Sequence, residues 1–282
     1  VRVMDQDHWG SLSPRSIPLL DESHVPAASC LGVWAVDEAE GEGTDPFEAN
    51  KHFARAKEIS ADVYPPCQLP AVQAEALSLL FTFARGEVLG RVRLDITAPE
   101  GTVVDLLYTE RLDEEGRPIH GYQGTRMAER YICREGRQVW HTMHPRGFVF
   151  LEVVIRGRTE EVRLNGLELT KAAYPVRHVG EFRCSDGRLE EIWKLCKDTQ
   201  QVCMEDAFLD CPWRERGLYT GDMLVQYYTN LALFGDHKLM RRCVWLFFLT
   251  QDDTGLLAPC SHALSTQRHP DYAAIAVQAL YH

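Results

Sequence analysis

Apolar residues recur with two different periods along the chain. In residues 91–97 Val92, Leu94 and Ile96 alternate with Arg93 and Asp95, and alternation of period two predicts a half-buried strand. The same reading covers 76–83, 102–108, 137–143, 148–156 and 161–170. Pro99-Glu100-Gly101, Glu115-Gly116-Arg117-Pro118 and Pro145-Arg146-Gly147 supply turns between them. Short strands with turns about every 8–12 residues predict an antiparallel β-sandwich.

Beyond residue 177 the period becomes helical. Leu189, Ile192, Trp193, Cys196 and Cys203 predict one face of a helix over about 187–206, with Ser185 or Asp186 as its cap. A second helix follows Thr220, carries Leu224, Tyr227, Tyr228, Leu231 and Phe234 on one side, and stops at Gly235. A third spans about 236–251, and a fourth begins at Asp271, read as its N-cap. Trp193, Trp245 and Phe247 are expected in the core. Strands followed by helices predict a multidomain β + α chain. Residues 1–70, rich in proline and carrying an acidic run at 37–45, are expected to be an extended linker with a short helix over 47–59. The sandwich is then expected over 71–176 and the helical domain over 177–282.

Composition narrows the function. The 282 residues are 45% hydrophobic and 25% charged, with a net charge of −11. An acidic chain lacks the electrostatic footprint of nucleic-acid or anionic-membrane binding, and no apolar run approaches the ~18 residues of a membrane span. Nine cysteines without a CxxC pair, and histidines without ligand spacing, predict free thiols and no metal or other cofactor. The start of the sequence shows no signal peptide, so a cytoplasmic location is expected.

The chemistry is concentrated in residues 206–222, between the first two helices. Asp206, Asp210, Glu215 and Asp222 lie there with Arg214, Arg216, Trp213 and Tyr219, while Pro212, Gly217 and Gly221 break the helix. Carboxylates beside aromatic rings suit a neutral polyhydroxylated ligand, because they accept from hydroxyls while rings cover apolar faces. Asp222 falls in the first turn of the second helix, whose positive end should keep it ionised. Glu215 lies between two arginines, so charge alone does not name an acid. A solvated salt-bridge loop is the alternative reading of the same composition.

The run Asp210-Cys211-Pro212-Trp213-Arg214-Glu215-Arg216, followed by Tyr219-Thr220-Gly221-Asp222, resembles the signature of bacterial α-L-rhamnosidases of glycoside hydrolase family 78. Residues 180–193 resemble the entry to that family's catalytic domain, and 99–116 and 129–153 its β-sandwich. The resemblance implies an antiparallel β-sandwich followed by the first part of an (α/α)6 six-hairpin toroid, and inverting hydrolysis of terminal α-L-rhamnosyl residues. It implies that Glu215 is the general acid and that Asp210 and Asp222 bind the sugar and steady the transition state. Trp213, Arg214 and Tyr219 would line the pocket.

Departures from the family at Phe148-Val149-Phe150 and Thr82-Phe83-Ala84 lie in the sandwich. Twelve helices need on the order of 200 residues, so the stretch after Val179 is expected to hold only the first hairpins of the toroid. The family's base is a later Glu that nothing here matches. The 282 residues are therefore expected to lack the base and to turn over little or nothing. Rhamnose-containing glycosides are the expected partners, with a homo-oligomer possible where helix faces stay uncovered. The alternatives are a non-catalytic carbohydrate-binding protein and a structural fragment of such an enzyme.

Overall fold

The computed structural model describes residues 15–36, 45–50, 56–59, 62–258, 260 and 269–281. Strands β1 (Asp21–Pro26), β2 (Ser29–Val36), β3 (Ala56–Glu58), β4 (Cys67–Gln68), β5 (Ala76–Thr82), β6 (Val88–Ala98) and β7 (Val103–Thr109) come first. They are followed by β8 (Ala128–Ile132), β9 (Gly136–His141), β10 (Arg146–Phe148), β11 (Phe150–Arg156) and β12 (Arg163–Ala173). Helices α1 (Gly187–Val202), α2 (Thr220–Phe234), α3 (Lys238–Phe248) and α4 (Pro270–Tyr281) complete the described chain.

The strands form two antiparallel sheets. One has the order β1-β12-β6-β10, with β4 added on β12 and β9 on β6; the other runs β3-β2-β5-β11-β7-β8. Every second residue of the central strands points between the sheets, so Leu79 and Phe81, Val92, Leu94 and Ile96, and Leu151, Val153 and Ile155 share one core. Burying each large side chain contributes about 1.5–3 kcal/mol. The outer face of the second sheet is covered too. There Asp105, fully buried, accepts from Arg130, Arg156 and Asn50 at 2.6–2.8 Å, which offsets the cost of a buried charge. On the same face Glu152 accepts from Ser78 and lies 2.5 Å from His120 Nε2, in the loop that leads to Tyr122.

The first 70 residues differ from the expected linker. Strand β2 lies inside a sheet between β3 and β5, β1 pairs with β12 along six residues, and Ile17 is buried in the helical core. The sandwich therefore begins near residue 21 rather than 71. The helix expected over 47–59 is a single 3-10 turn, Glu48–Asn50, followed by β3. Asp45 caps that turn by accepting from the amides of Phe47 and Glu48, and residues 51–55 lie outside those described.

The helical boundaries follow the sequence closely. Asp186 accepts from the Arg188 amide and caps α1. Gly235, at φ 63°, ends α2 in the left-handed conformation that favours glycine. Asp271 is a residue of the first turn of α4, not its cap. α2 packs against α1, α3 and α4, with Met223, Tyr227, Phe234, Leu239, Cys243 and Phe247 at the centre. The apolar face predicted for α1 is open over its first turns: Leu189 and Ile192 are 47% and 54% exposed and Cys196 is exposed, while Cys203 is buried. Trp193 is half-buried against Phe182 and Trp245 is exposed, so of the three aromatics expected in the core only Phe247 is fully buried.

Candidate active site

The acidic segment is a tied loop. α1 ends at Val202, and the carbonyl of Cys203, which caps it, accepts from the Leu209 amide at 2.8 Å. Asp210 and Gly217 then close the loop twice: the Asp210 amide donates to the Gly217 carbonyl at 2.9 Å, and the Gly217 amide donates to Asp210 Oδ1 at 2.7 Å. Inside this closure the Cys211 sulfur accepts from the Glu215 amide at 3.4 Å. Pro212 rests on the sandwich at Gly147, where a Cβ would lie 2.4 Å from the proline carbonyl. Only glycine permits that approach.

Glu215 projects from this loop with its carboxyl partly exposed. Arg214 donates to Oε1, and the Tyr219 hydroxyl donates to Oε2 at 2.9 Å. The second neighbouring arginine faces away: Arg216 pairs with Glu205 at 2.5 Å. Asp222, half-buried in the first turn of α2, has its carboxyl pushed above the usual range. Burial is the main cause, its own backbone amide opposes this, and the charges of Asp210 and Glu215 add to it. The expectation that the helix end governs Asp222 is corrected here, because desolvation and two neighbouring carboxylates outweigh the amide.

These side chains gather around two tyrosines. The rings of Tyr219 and Tyr272 meet edge to face with centroids 6.3 Å apart. The Tyr272 ring lies over Gly221, 3.4 Å from where a Cβ would be, and Thr220 Oγ1 donates to its carbonyl at 2.9 Å. Burial raises the Tyr272 hydroxyl, and the charges of Asp222, Asp271, Glu215 and Asp210 raise it further. The structure thus brings Asp210, Glu215, Asp222 and Tyr219 together and adds Tyr272. Trp213 is placed elsewhere: it is 4% exposed and stacks on Tyr122 of the sandwich with centroids 6.4 Å apart. It is a wedge between domains rather than an open platform, since the close approach at Gly147 draws Pro212 and Trp213 inward.

Tyr272 was missed because it lies in the last described helix, and only the packing of α4 on α2 brings it to the acids. The sole sequence signal was its place in the first turn of a helix that begins at Pro270. Among the described residues no group of three His, Cys, Asp or Glu side chains is arranged to hold a metal ion, and no helix is long and apolar enough to cross a membrane. The carboxyls and tyrosines can accept from and donate to hydroxyl groups, and Glu215 stands at the exposed edge of the group.

Comparisons with known proteins point to one family. Residues 177–280 match the family model described as the bacterial alpha-L-rhamnosidase 6 hairpin glycosidase domain, and residues 74–170 match the bacterial alpha-L-rhamnosidase concanavalin-like domain. A curated alpha-L-rhamnosidase of Formosa agariphila is 26% identical over 143 residues, 48% of this chain and 15% of that protein. The crystal structure of a GH78 family rhamnosidase of Bacillus sp. GL1 superposes with a TM-score of 0.77 at 29% identity, covering 84% of this chain and 25% of that one. A rhamnosidase from Klebsiella oxytoca with rhamnose bound shares the fold, with a TM-score of 0.68 at 19% identity over 94% of this chain and 52% of that one. The chain therefore spans between about a seventh and a half of the length of these relatives.

Proposed function

Because this chain belongs to the bacterial α-L-rhamnosidase family, we propose that its 206–222 loop binds a terminal α-L-rhamnosyl residue and carries the acid half of a hydrolytic site. Glu215 gives a proton to the glycosidic oxygen as the bond to the sugar breaks. Asp210 and Asp222 accept from sugar hydroxyls, and their negative charge favours the oxocarbenium-like transition state. Tyr219 orients the Glu215 carboxyl through the bond at 2.9 Å, and Arg214 holds its other oxygen until the substrate arrives. Inversion needs a second carboxylate about 6.5–9.5 Å from the acid, with room for water between them. In this reading Glu215 supplies the acid, and none of the described carboxylates is assigned as the base.

The observation that carries this reading is the grouping of three carboxyls around the Tyr219–Tyr272 pair, with Glu215 at the exposed rim. Binding without turnover is the second reading. Both oxygens of Glu215 already accept hydrogen bonds, so a proton on this carboxyl displaces one of two donors. Calorimetric titration with L-rhamnose, alongside an aryl α-L-rhamnoside assay, separates the two. Asp210→Asn should weaken rhamnose binding about tenfold, as loss of a hydrogen bond to a charged group implies. Glu215→Gln should leave binding near wild type and abolish any turnover. If both variants shift the melting temperature and neither alters rhamnose binding, the cluster is a salt-bridge network and the proposal fails.

A further inference from the structure

Arg216 is the only non-glycine residue with a positive φ among those described, at 52°. An L-residue is disfavoured there because its Cβ crowds the following carbonyl. Such outliers persist where their surroundings over-determine them, and they cluster at functional sites. The surroundings are specific here. Arg216 Nη1 donates to the Pro145 carbonyl at 2.5 Å, in the turn that enters β10, and Nη2 donates to Glu205 at 2.5 Å, just after α1. One guanidinium fork thus joins the sandwich to the helical unit, a geometry that lysine cannot reproduce.

The left-handed step reverses the chain between Glu215 and Gly217, so that Gly217 reaches back to Asp210 through both of its backbone groups. Without that reversal the Asp210–Gly217 closure opens, and Glu215 no longer sits at a fixed place relative to Asp210. We infer that Arg216 is a positioning residue, bridging the Pro145 carbonyl of the sandwich to Glu205 and thereby holding the turn that sets Glu215 beside Asp210 and Tyr219. The inference rests on the reading of Glu215 and Asp210 as sugar-site residues. It makes the sandwich a part of the site's framework, although the sandwich contributes no carboxyl to the cluster.

The test compares Arg216→Gly and Glu205→Gln in the full 282-residue chain. Glycine accepts φ 52° without strain and removes both anchors, whereas Glu205→Gln weakens one anchor and leaves the backbone as it is. Amide hydrogen exchange over 211–217 should be about tenfold or more faster in Arg216→Gly, as loss of charged hydrogen bonds implies, and intermediate in Glu205→Gln. Exchange in α2 and α3 should not change. Rhamnose affinity should fall in the same order, and Arg216→Lys should restore part of both effects. Unchanged exchange over 211–217 in both variants overturns the inference. So does faster exchange with rhamnose affinity intact, because the clamp would then be merely structural. If the wild-type chain binds no rhamnose, the functional reading fails by itself, and the exchange pattern alone still upholds or overturns the clamp.

Discussion

Asp222 sets stability against binding within one side chain. Its carboxyl is half-buried near two other acids, so its charge is costly in the folded state. A carboxyl raised on folding contributes stability while protonated, and that contribution is lost as pH rises through its folded value. Asp222→Asn should therefore melt higher than wild type at neutral pH, with the gap narrowing as pH falls toward the ordinary value of 3.8. Rhamnose affinity should fall at the same time, by roughly tenfold for a lost charged hydrogen bond. Thermal melts against pH, paired with titrations, check both halves; a lower melting temperature at neutral pH would refute the charge argument. At this scale most of the cluster was legible, because Asp210, Glu215, Tyr219 and Asp222 lie within one short run. Tyr272 was not, since only the packing of α4 on α2 brings it to Gly221. The place of Trp213 was not legible either, because the residue that decides it, Gly147, has no side chain to advertise the contact.

Elements were readable where apolar residues recur between clear turn signals, whether the outer face is open, as along β6, or covered, as along β5, β7 and β11. β6 alternates cleanly, and β5, β7, β11 and β12 fall within a few residues of their predicted limits. β2 was hidden because Ser29 and Gly32 interrupt its apolar run and a register shift falls between Cys30 and Gly32. β1, with the sequence DESHVP, is polar as edge strands tend to be. The connection from β5 to β6 holds a feature that no periodicity shows: burial of Glu87, and after it the hydrogen bond and like charge of Glu110, push its carboxyl up to about 8. Between its ordinary value of 4.5 and about 8 the folded chain holds this proton more tightly than the unfolded chain does. Stability from this pair is thus fully present below that window and lost as pH rises through it. Glu87→Gln should flatten the decline in melting temperature across the window. Identical pH profiles for variant and wild type would show that the pair holds no shared proton.

At the scale of the molecule, the sandwich and the helical unit meet through a few named contacts rather than a broad apolar face. Leu89 packs with Val202, Cys203 and Leu209, Tyr122 stacks on Trp213, Arg216 reaches Pro145, and Gly147 touches Pro212. All of these flank the loop that carries Glu215, so the junction and the site share residues and a fault in one should appear in the other. Gly147 is the sharpest probe, because it is fixed in register opposite Leu89 and cannot retreat. An added methyl at 2.4 Å from the Pro212 carbonyl must push the loop away instead. Overpacking of this kind costs about 1–3 kcal/mol. Gly147→Ala should therefore unfold at lower denaturant, red-shift tryptophan emission as Trp213 leaves Tyr122, and lose rhamnose binding while the sandwich stays folded. Unchanged emission and affinity would mean that the loop keeps its place without the sandwich.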